Sequence, residues 1–282
     1  MGSLESSGEA TLGFKEIRIA AESLSRSDMF HLVKELLGFI LYTHHQIPAV
    51  LQHLEHEFNG LKEDYKQLEL LHSTGVERKE KNIYFHRKAN MRKNEVKSSI
   101  KKLEKLMSSI STLFSALQEA IDGIPDFHGV TFLLGGSPAR PQHVYEIFFS
   151  HFGVNSDNVN HITKSKVAEA LSRKVVRALM SNDAGSSISG PTKLFLMIKC
   201  PCTFNLPLHF LPKRDFRCNK KVLPFKLHIK SKMGDQIMKD LHYNSGNTNS
   251  SSLADMVAND MIWYQCRHAV KGLAFKSHET DC

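Results

Sequence analysis

The chain has 282 residues, a formal net charge of +8, and 41% hydrophobic and 23% charged residues, the balance of an ordinary globular protein rather than a disordered or fibrous one. No stretch reaches the roughly 18 uninterrupted apolar residues of a membrane-spanning helix, which excludes that class. Five cysteines, an odd number, and an N-terminus (Met1-Gly2-Ser3-Leu4-Glu5-Ser6) without basic or apolar signal features set the expectation of free thiols in the nucleus or cytosol. Gly2 with Ser6 formally fits an acylation pattern, which at that length reads as a chance match.

Residues 1–26, rich in Ser, Gly and Glu without sustained periodicity, are expected to form a disordered N-terminal tail. A helix starts near Asp28, with Ser27 or Asp28 as N-cap and Met29, Phe30, Val33, Leu36, Leu37, Ile40 and Leu41 on its inner face. After Pro48, Leu51, Leu54, Phe58, Leu61, Tyr65 and Leu68 alternate steps of three and four, a heptad-like helix ending near Gly75. A second long helix carries Val96, Ile100, Leu103, Met107, Ile110, Leu113, Leu117 and Ile121 on one face and stops at Gly123 and Pro125. Val130 to Leu134 and Val144 to Phe149 then read as two strands of a hairpin around Gly135-Gly136-Ser137-Pro138. A helix from about Thr163 to Asn182 turns Val167, Ala168, Leu171, Val175, Ala178 and Leu179 inward. Strands are expected at Lys193–Lys199, Val222–Lys230 and Asp260–Gln265, with a helical turn at Leu253–Val257 and a loop over Asn244–Ser252. Helices, hairpin, helix and strands in that order indicate an α+β domain over residues 27–282.

The charge is local. Val76 to Lys105 holds eleven Lys or Arg against four Asp or Glu, leaving about +1 for the rest of the chain. The stretch at about 76–95 is expected to be a basic connector. Arg87, Lys88, Arg92 and Lys93 within it read as a nuclear import signal rather than a nucleic-acid-binding face, which would spread its cations over folded surface. A basic nuclear nucleic-acid-binding protein is the alternative reading.

Sequence motifs favour no enzyme. Cys200-Pro201-Cys202 with Cys218 and His209 offers zinc-type ligands, but as Cys-x-Cys without a second pair it reads as buried small residues. His53 and His56, near His44 and His45, lack the metalloprotease pattern and read as surface histidines. No helix N-terminus or Gly-Lys-Ser follows Gly135-Gly136 to hold a phosphate, and no nucleophile elbow is present. Neither a cofactor nor a metal is expected. On the Thr163–Asn182 helix, however, Val176 and Met180 fall off the inward face beside Glu169 and Arg173, a small apolar patch among charges. Phe39 and Tyr42 hold the same outward position on the first helix.

Three blocks resemble the comet family of HORMA-like proteins. Leu36-Leu37-Gly38-Phe39-Ile40-Leu41-Tyr42 through Gln46-Ile47-Pro48 is similar to its first helix. Thr131-Phe132-Leu133-Leu134-Gly135-Gly136 with Val144-Tyr145-Glu146 is similar to its hairpin, and Asp260-Met261-Ile262-Trp263-Tyr264-Gln265 with Val270-Lys271-Gly272 to its C-terminal segment. The resemblance implies a HORMA-like fold: three main helices on a largely antiparallel β-sheet with a self-closed C-terminal belt. It also implies an adaptor that docks its third helix (Thr163–Asn182 here) and part of the first on the closed, mitotic-arrest-deficient type of HORMA spindle checkpoint protein. Such adaptors present that partner to a hexameric AAA+ ATPase of the pachytene-checkpoint family, which in meiosis also acts on chromosome-axis HORMA proteins. The family's aromatic contact on the third helix corresponds to Val176 and its polar contact on the first to Thr43, both making the contact smaller. Partner binding is therefore assigned to Val176, Met180, Arg173, Glu169, Thr43, Tyr42 and Phe39. Self-closure is assigned to Ile262, Trp263 and Tyr264, with the segment pairing as an edge strand and burying the single Trp. A nuclear protein with a cytoplasmic pool is expected.

Overall fold

The computed structural model describes residues 15–21, 24–74, 83–150, 161–181, 190–218, 221–231 and 261–273. Its helices are α1 (Arg26–Thr43), α2 (Leu54–Thr74), α3 (Ile83–Gly123) and α4 (His161–Ser181), with a 3-10 turn at Leu51–His53. Its strands are β1 (Lys15–Ala21), β2 (Gly129–Ser137), β3 (Arg140–Ser150), β4 (Lys193–Pro201), β5 (Phe210–Lys213), β6 (Phe225–Ser231), β7 (Met261–Cys266) and β8 (Val270–Lys271). They form one sheet in the order β1-β6-β3-β2-β4-β7-β5, with β8 also pairing β4. The β1–β6 and β3–β6 pairs are parallel and the remainder antiparallel.

Alternation decides which side of the sheet is covered. Val130, Phe132 and Leu134 of β2, Tyr145, Ile147 and Phe149 of β3, Leu194, Leu196 and Ile198 of β4, and Leu227 and Ile229 of β6 all face the helices. There they meet Leu32, Leu36 and Leu37 of α1, Leu113 and Leu117 of α3, and Leu171 and Val175 of α4. In the helical layer α1 packs between α4 and α3, and α2 packs on the far side of α3. The opposite face of the sheet carries a smaller cluster, Leu133, Val144, Phe195 and Met197, covered by Phe216, Cys218, Val222 and Trp263.

Local chemistry explains the joints. Ser25 is the α1 N-cap, two residues ahead of the expected Ser27. Its Oγ accepts from the Asp28 amide (3.2 Å) while its own amide donates to Asp28 Oδ2 (2.9 Å), a reciprocal capping box. In the β2–β3 hairpin the strands run on through Gly135 with register shifts, and the turn is Pro138-Ala139 rather than the whole Gly-Gly-Ser-Pro run. At Gly129 (φ 149°) any Cβ would collide with the Ile147 carbonyl oxygen, so glycine is required where β2 begins.

Three expectations are corrected. The disordered tail does not extend to residue 26: Lys15–Ala21 is a strand along β6, from Lys15 against Phe225 to Ala21 against Ser231. Its alternating Ile17, Ile19 and Ala21 turn toward the main core while its backbone pairs with a strand some 200 residues away in sequence, a pairing invisible to local composition. The basic connector is not a connector from Ile83 onward, where the chain is already α3; residues 75–82, like 1–14 and the turn and loop expected within 244–257, lie outside the described residues. Finally, β7 is not an edge strand. It is flanked by β4 on one side and β5 on the other, because Phe210–Lys213 folds back to pair with Trp263–Cys266. Tyr264 is buried among the helix-facing residues, whereas Trp263 points to the outer face and is only half-buried, meeting Phe216 edge-on with ring centroids 5.6 Å apart.

Candidate functional site

The candidate site is the outward side of α4 and α1. Ala168, Leu171, Ser172, Val175 and Leu179 of α4 are buried, and at about 100° per residue Glu169, Arg173, Val176 and Met180 fall within about 60° of one another on the flank of that face. Glu169 and Arg173 are exposed and joined by an i,i+4 ion pair; Val176 is half-buried; Met180 is 67% exposed. The Val167 side chain lies outside the described residues, and Ala178 is half-buried rather than inward.

On α1 the assigned residues separate. Tyr42 is 45% exposed, and Thr43, the last helical residue, is half-buried. Phe39, expected on the outer side, is instead half-buried and packed against the main core. Because α1 lies directly on α4, the structure brings the two predicted halves of the face onto one pair of adjoining helices. Periodicity placed each residue on its own helix, and only the family resemblance joined the two helices in one face.

The end of α1 is held by a residue whose role the sequence did not disclose. Gln46 is 1% exposed; its side-chain amide donates to the His44 carbonyl (2.6 Å) and the Gly190 carbonyl (3.3 Å), and its Oε1 accepts from the Thr192 amide (2.7 Å). Its main-chain carbonyl accepts from the Leu273 amide (2.9 Å), and any Cβ at Gly272 would collide with Gln46 Oε1. Gln46 thus joins α1, the approach to β4 and the end of β8. Next to it His44 Nε2 meets the Tyr145 hydroxyl at 2.6 Å, and burial pushes the Tyr145 phenol above its usual range.

The zinc-type residues do not converge. Cys200 is buried on the helix side of the sheet, Cys218 lies with the outer cluster, and Cys202 is exposed. His209 pairs instead with His268 (2.9 Å) and Glu119 (3.4 Å), and desolvation, then the neighbouring His209 and Arg267, hold His268 below the ordinary imidazole range. Burial pushes the Cys200 thiol up to about 12 and Cys266 to about 11. His53 and His56 are exposed. Among the described residues no group of three or more His, Cys, Asp or Glu is placed to hold a metal ion. An open groove of about 710 Å³ lies on the outer sheet face, lined by Pro125, Thr131, Glu146, Phe148, Lys199 and Trp263. Burial holds the Glu146 carboxyl above its usual range, with Lys226 at 3.9 Å acting in the opposite direction.

Of the import residues, Arg87, Lys88 and Arg92 are exposed on α3. Lys93 turns toward α2, where its Nζ lies 3.1 Å from Glu69 and over the Tyr65 ring; that contact is the main cause holding the Glu69 carboxyl below its usual range.

A mixed sheet backed by helices, with a stripe of apolar and charged side chains on α4, defines an α+β domain with a candidate protein-docking surface. The chain belongs to the p31comet family: the family profile, described as Mad1 and Cdc20-bound Mad2 binding, matches residues 19–275. This is a family of binding adaptors that bind Mad2 in the spindle checkpoint, and the helix-on-sheet architecture agrees with a HORMA-like fold. No match to the chain was found among curated proteins.

Proposed function

We propose that this chain is a non-enzymatic adaptor that docks on the closed form of a Mad2-type HORMA checkpoint protein and delivers it to an AAA+ ATPase of the pachytene-checkpoint family, silencing the spindle assembly checkpoint. By the same route it would present chromosome-axis HORMA proteins to that ATPase in meiosis. The protein would act in the nucleus with a cytoplasmic pool, with Arg87, Lys88, Arg92 and Lys93 serving import. In this reading β7 and β8 stand where other HORMA proteins trap a partner peptide, so the belt is closed on the chain itself.

The observation that supports the proposal is the packing of α1 on α4 in a chain that belongs to this family, with Met180 and Tyr42 exposed on those two helices and Val176 and Thr43 half-buried. An apolar centre with the Glu169–Arg173 pair at its margin has the anatomy of a protein interface, dry in the middle and polar at the rim. Val176→Glu places an unpaired carboxylate where the partner excludes water, which is costly. Calorimetric titration with the closed checkpoint protein should show at least a tenfold loss of affinity. Met180→Glu, at a position exposed in the free chain, should do the same without touching the core. Unchanged affinity in both variants would overturn this placement of the docking face.

A further inference from the structure

The basic segment from Ile83 onward is part of a long helix, and that alters what it can bind. α3 has 41 residues, a length of about 60 Å, and Leu103 is the first buried side chain among its described ones. The preceding turns are backed by α2, through the half-buried Ala89, Lys93, Val96 and Ile100. From Ile83 to Lys105 the helix carries eight Lys or Arg and two Glu, whereas α2 carries two Lys and five Asp or Glu. Arg87, Lys101, Lys102 and Lys105 are all exposed, and a helical projection puts them on the side of α3 facing away from α2. They span about 27 Å along the axis, with Asn90, Asn94 and Ser98 interleaved and the two glutamates only at the margins. Among the described residues none of these four cations forms an ion pair.

We infer that this face of α3 binds the phosphate backbone of duplex nucleic acid without reading its sequence. The condition unmet in the linear sequence, cations spread over a folded face, is met by the helix. The chemistry of the face selects the partner. A protein interface needs a desolvated apolar or aromatic anchor, and the stripe offers one apolar side chain, Met91, 66% exposed. Single strands are held by aromatic stacking platforms, and no aromatic side chain lies on the stripe between Arg87 and Lys105. What remains is a row of ammonium and guanidinium groups along one helix face with amide and hydroxyl donors between them, suited to phosphate oxygens over roughly eight base pairs. The face is on α3, separate from the α1–α4 docking surface, so the inference does not depend on the checkpoint role.

The test is fluorescence anisotropy of the full chain with a labelled 30-base-pair duplex of arbitrary sequence, from 50 to 200 mM salt. Binding at 50 mM salt should weaken steeply, with a log–log slope of about −3 for three or four phosphates engaged. Changing Arg87, Lys101, Lys102 and Lys105 to Gln together should reduce affinity at least tenfold with an unchanged circular dichroism spectrum. Removing the same total charge elsewhere, at the exposed Lys62, Lys66, Lys213 and Lys271, should cost less than threefold. Equal losses in the two charge variants, no binding of the duplex at 50 mM salt, tighter binding of a single strand of equal length, or displacement of the duplex by an equal charge of poly-glutamate would each overturn the inference. The last outcome would assign the face to an acidic protein.

Discussion

Replacing Gln46 by Leu removes three side-chain hydrogen bonds in a site that is 1% exposed while keeping the apolar stem. Each such bond contributes about 1 kcal/mol net, so the loss is about 3 kcal/mol, and more where the Thr192 amide finds no water. Against a total stability of about 5–15 kcal/mol this is a large fraction. Urea unfolding followed by far-ultraviolet circular dichroism should show the midpoint falling by about 1–2 M at a typical slope. Gln46→Glu sharpens the test. Its carboxylate would face the His44 and Gly190 carbonyls, two acceptors, so only the protonated acid can donate where the amide did. The folded-state pKa then rises above the ordinary value of about 4.3. Stability contributed by the protonated form is full below that ordinary value and is lost as pH rises through the raised one. Relative to the native chain, Gln46→Glu should therefore be less stable at pH 8 than at pH 5. A Gln46→Leu midpoint within about 0.3 M of the native protein would refute the clasp, since at a typical slope that is under 1 kcal/mol.

The buried thiols give a second prediction: Cys200 and Cys266, pushed up to about 12 and about 11, should resist iodoacetamide at pH 8 in the native protein while exposed Cys202 is alkylated, as peptide mass spectrometry would show. Since both folded values exceed those of free thiols, their contribution is intact below about pH 8.5 and is lost as pH climbs through about 11–12, so alkaline unfolding should begin in that window. Trp263→Ala should cost about 2–3 kcal/mol, less than a fully buried Trp would, because the ring is only half-buried against Phe216. Tyr264→Ala should cost more, since that side chain is buried and its hydroxyl donates toward the Cys202 and Phe204 carbonyls (3.1 Å each); urea midpoints in the reverse order would contradict the assignment of faces on β7.

Whatever depends on neighbours three or four residues away was legible in the sequence. Leu54, Phe58, Leu61, Tyr65 and Leu68 do form the less exposed side of α2, and Val96, Ile100, Leu103 and Ile110 that of α3, because burying one stripe of a 3.6-residue helix needs no information beyond the helix itself. The Glu169–Arg173–Val176–Met180 stripe was legible for the same reason. So was the β2–β3 hairpin, whose strands are joined by a short turn. What pairs across the chain was not legible. Lys15–Ala21 is a strand only because β6 offers it an edge, and Phe210–Lys213 only because β7 does; seven and four residues carry too little pattern to declare themselves alone. That β7 is interior, that Trp263 faces outward, and that α1 lies on α4 follow from strand order and layer packing. The basic segment read as a connector because its charges leave no clear apolar period before Val96, where periodicity places the helix start; the helix in fact begins at Ile83 and packs on α2. Gln46 and Gly272 stand 226 positions apart, in two blocks of the family resemblance that say nothing of a contact between them. Only folding puts the amide of one into the space left by the missing side chain of the other, because a buried polar group must find its partners wherever in the chain they lie.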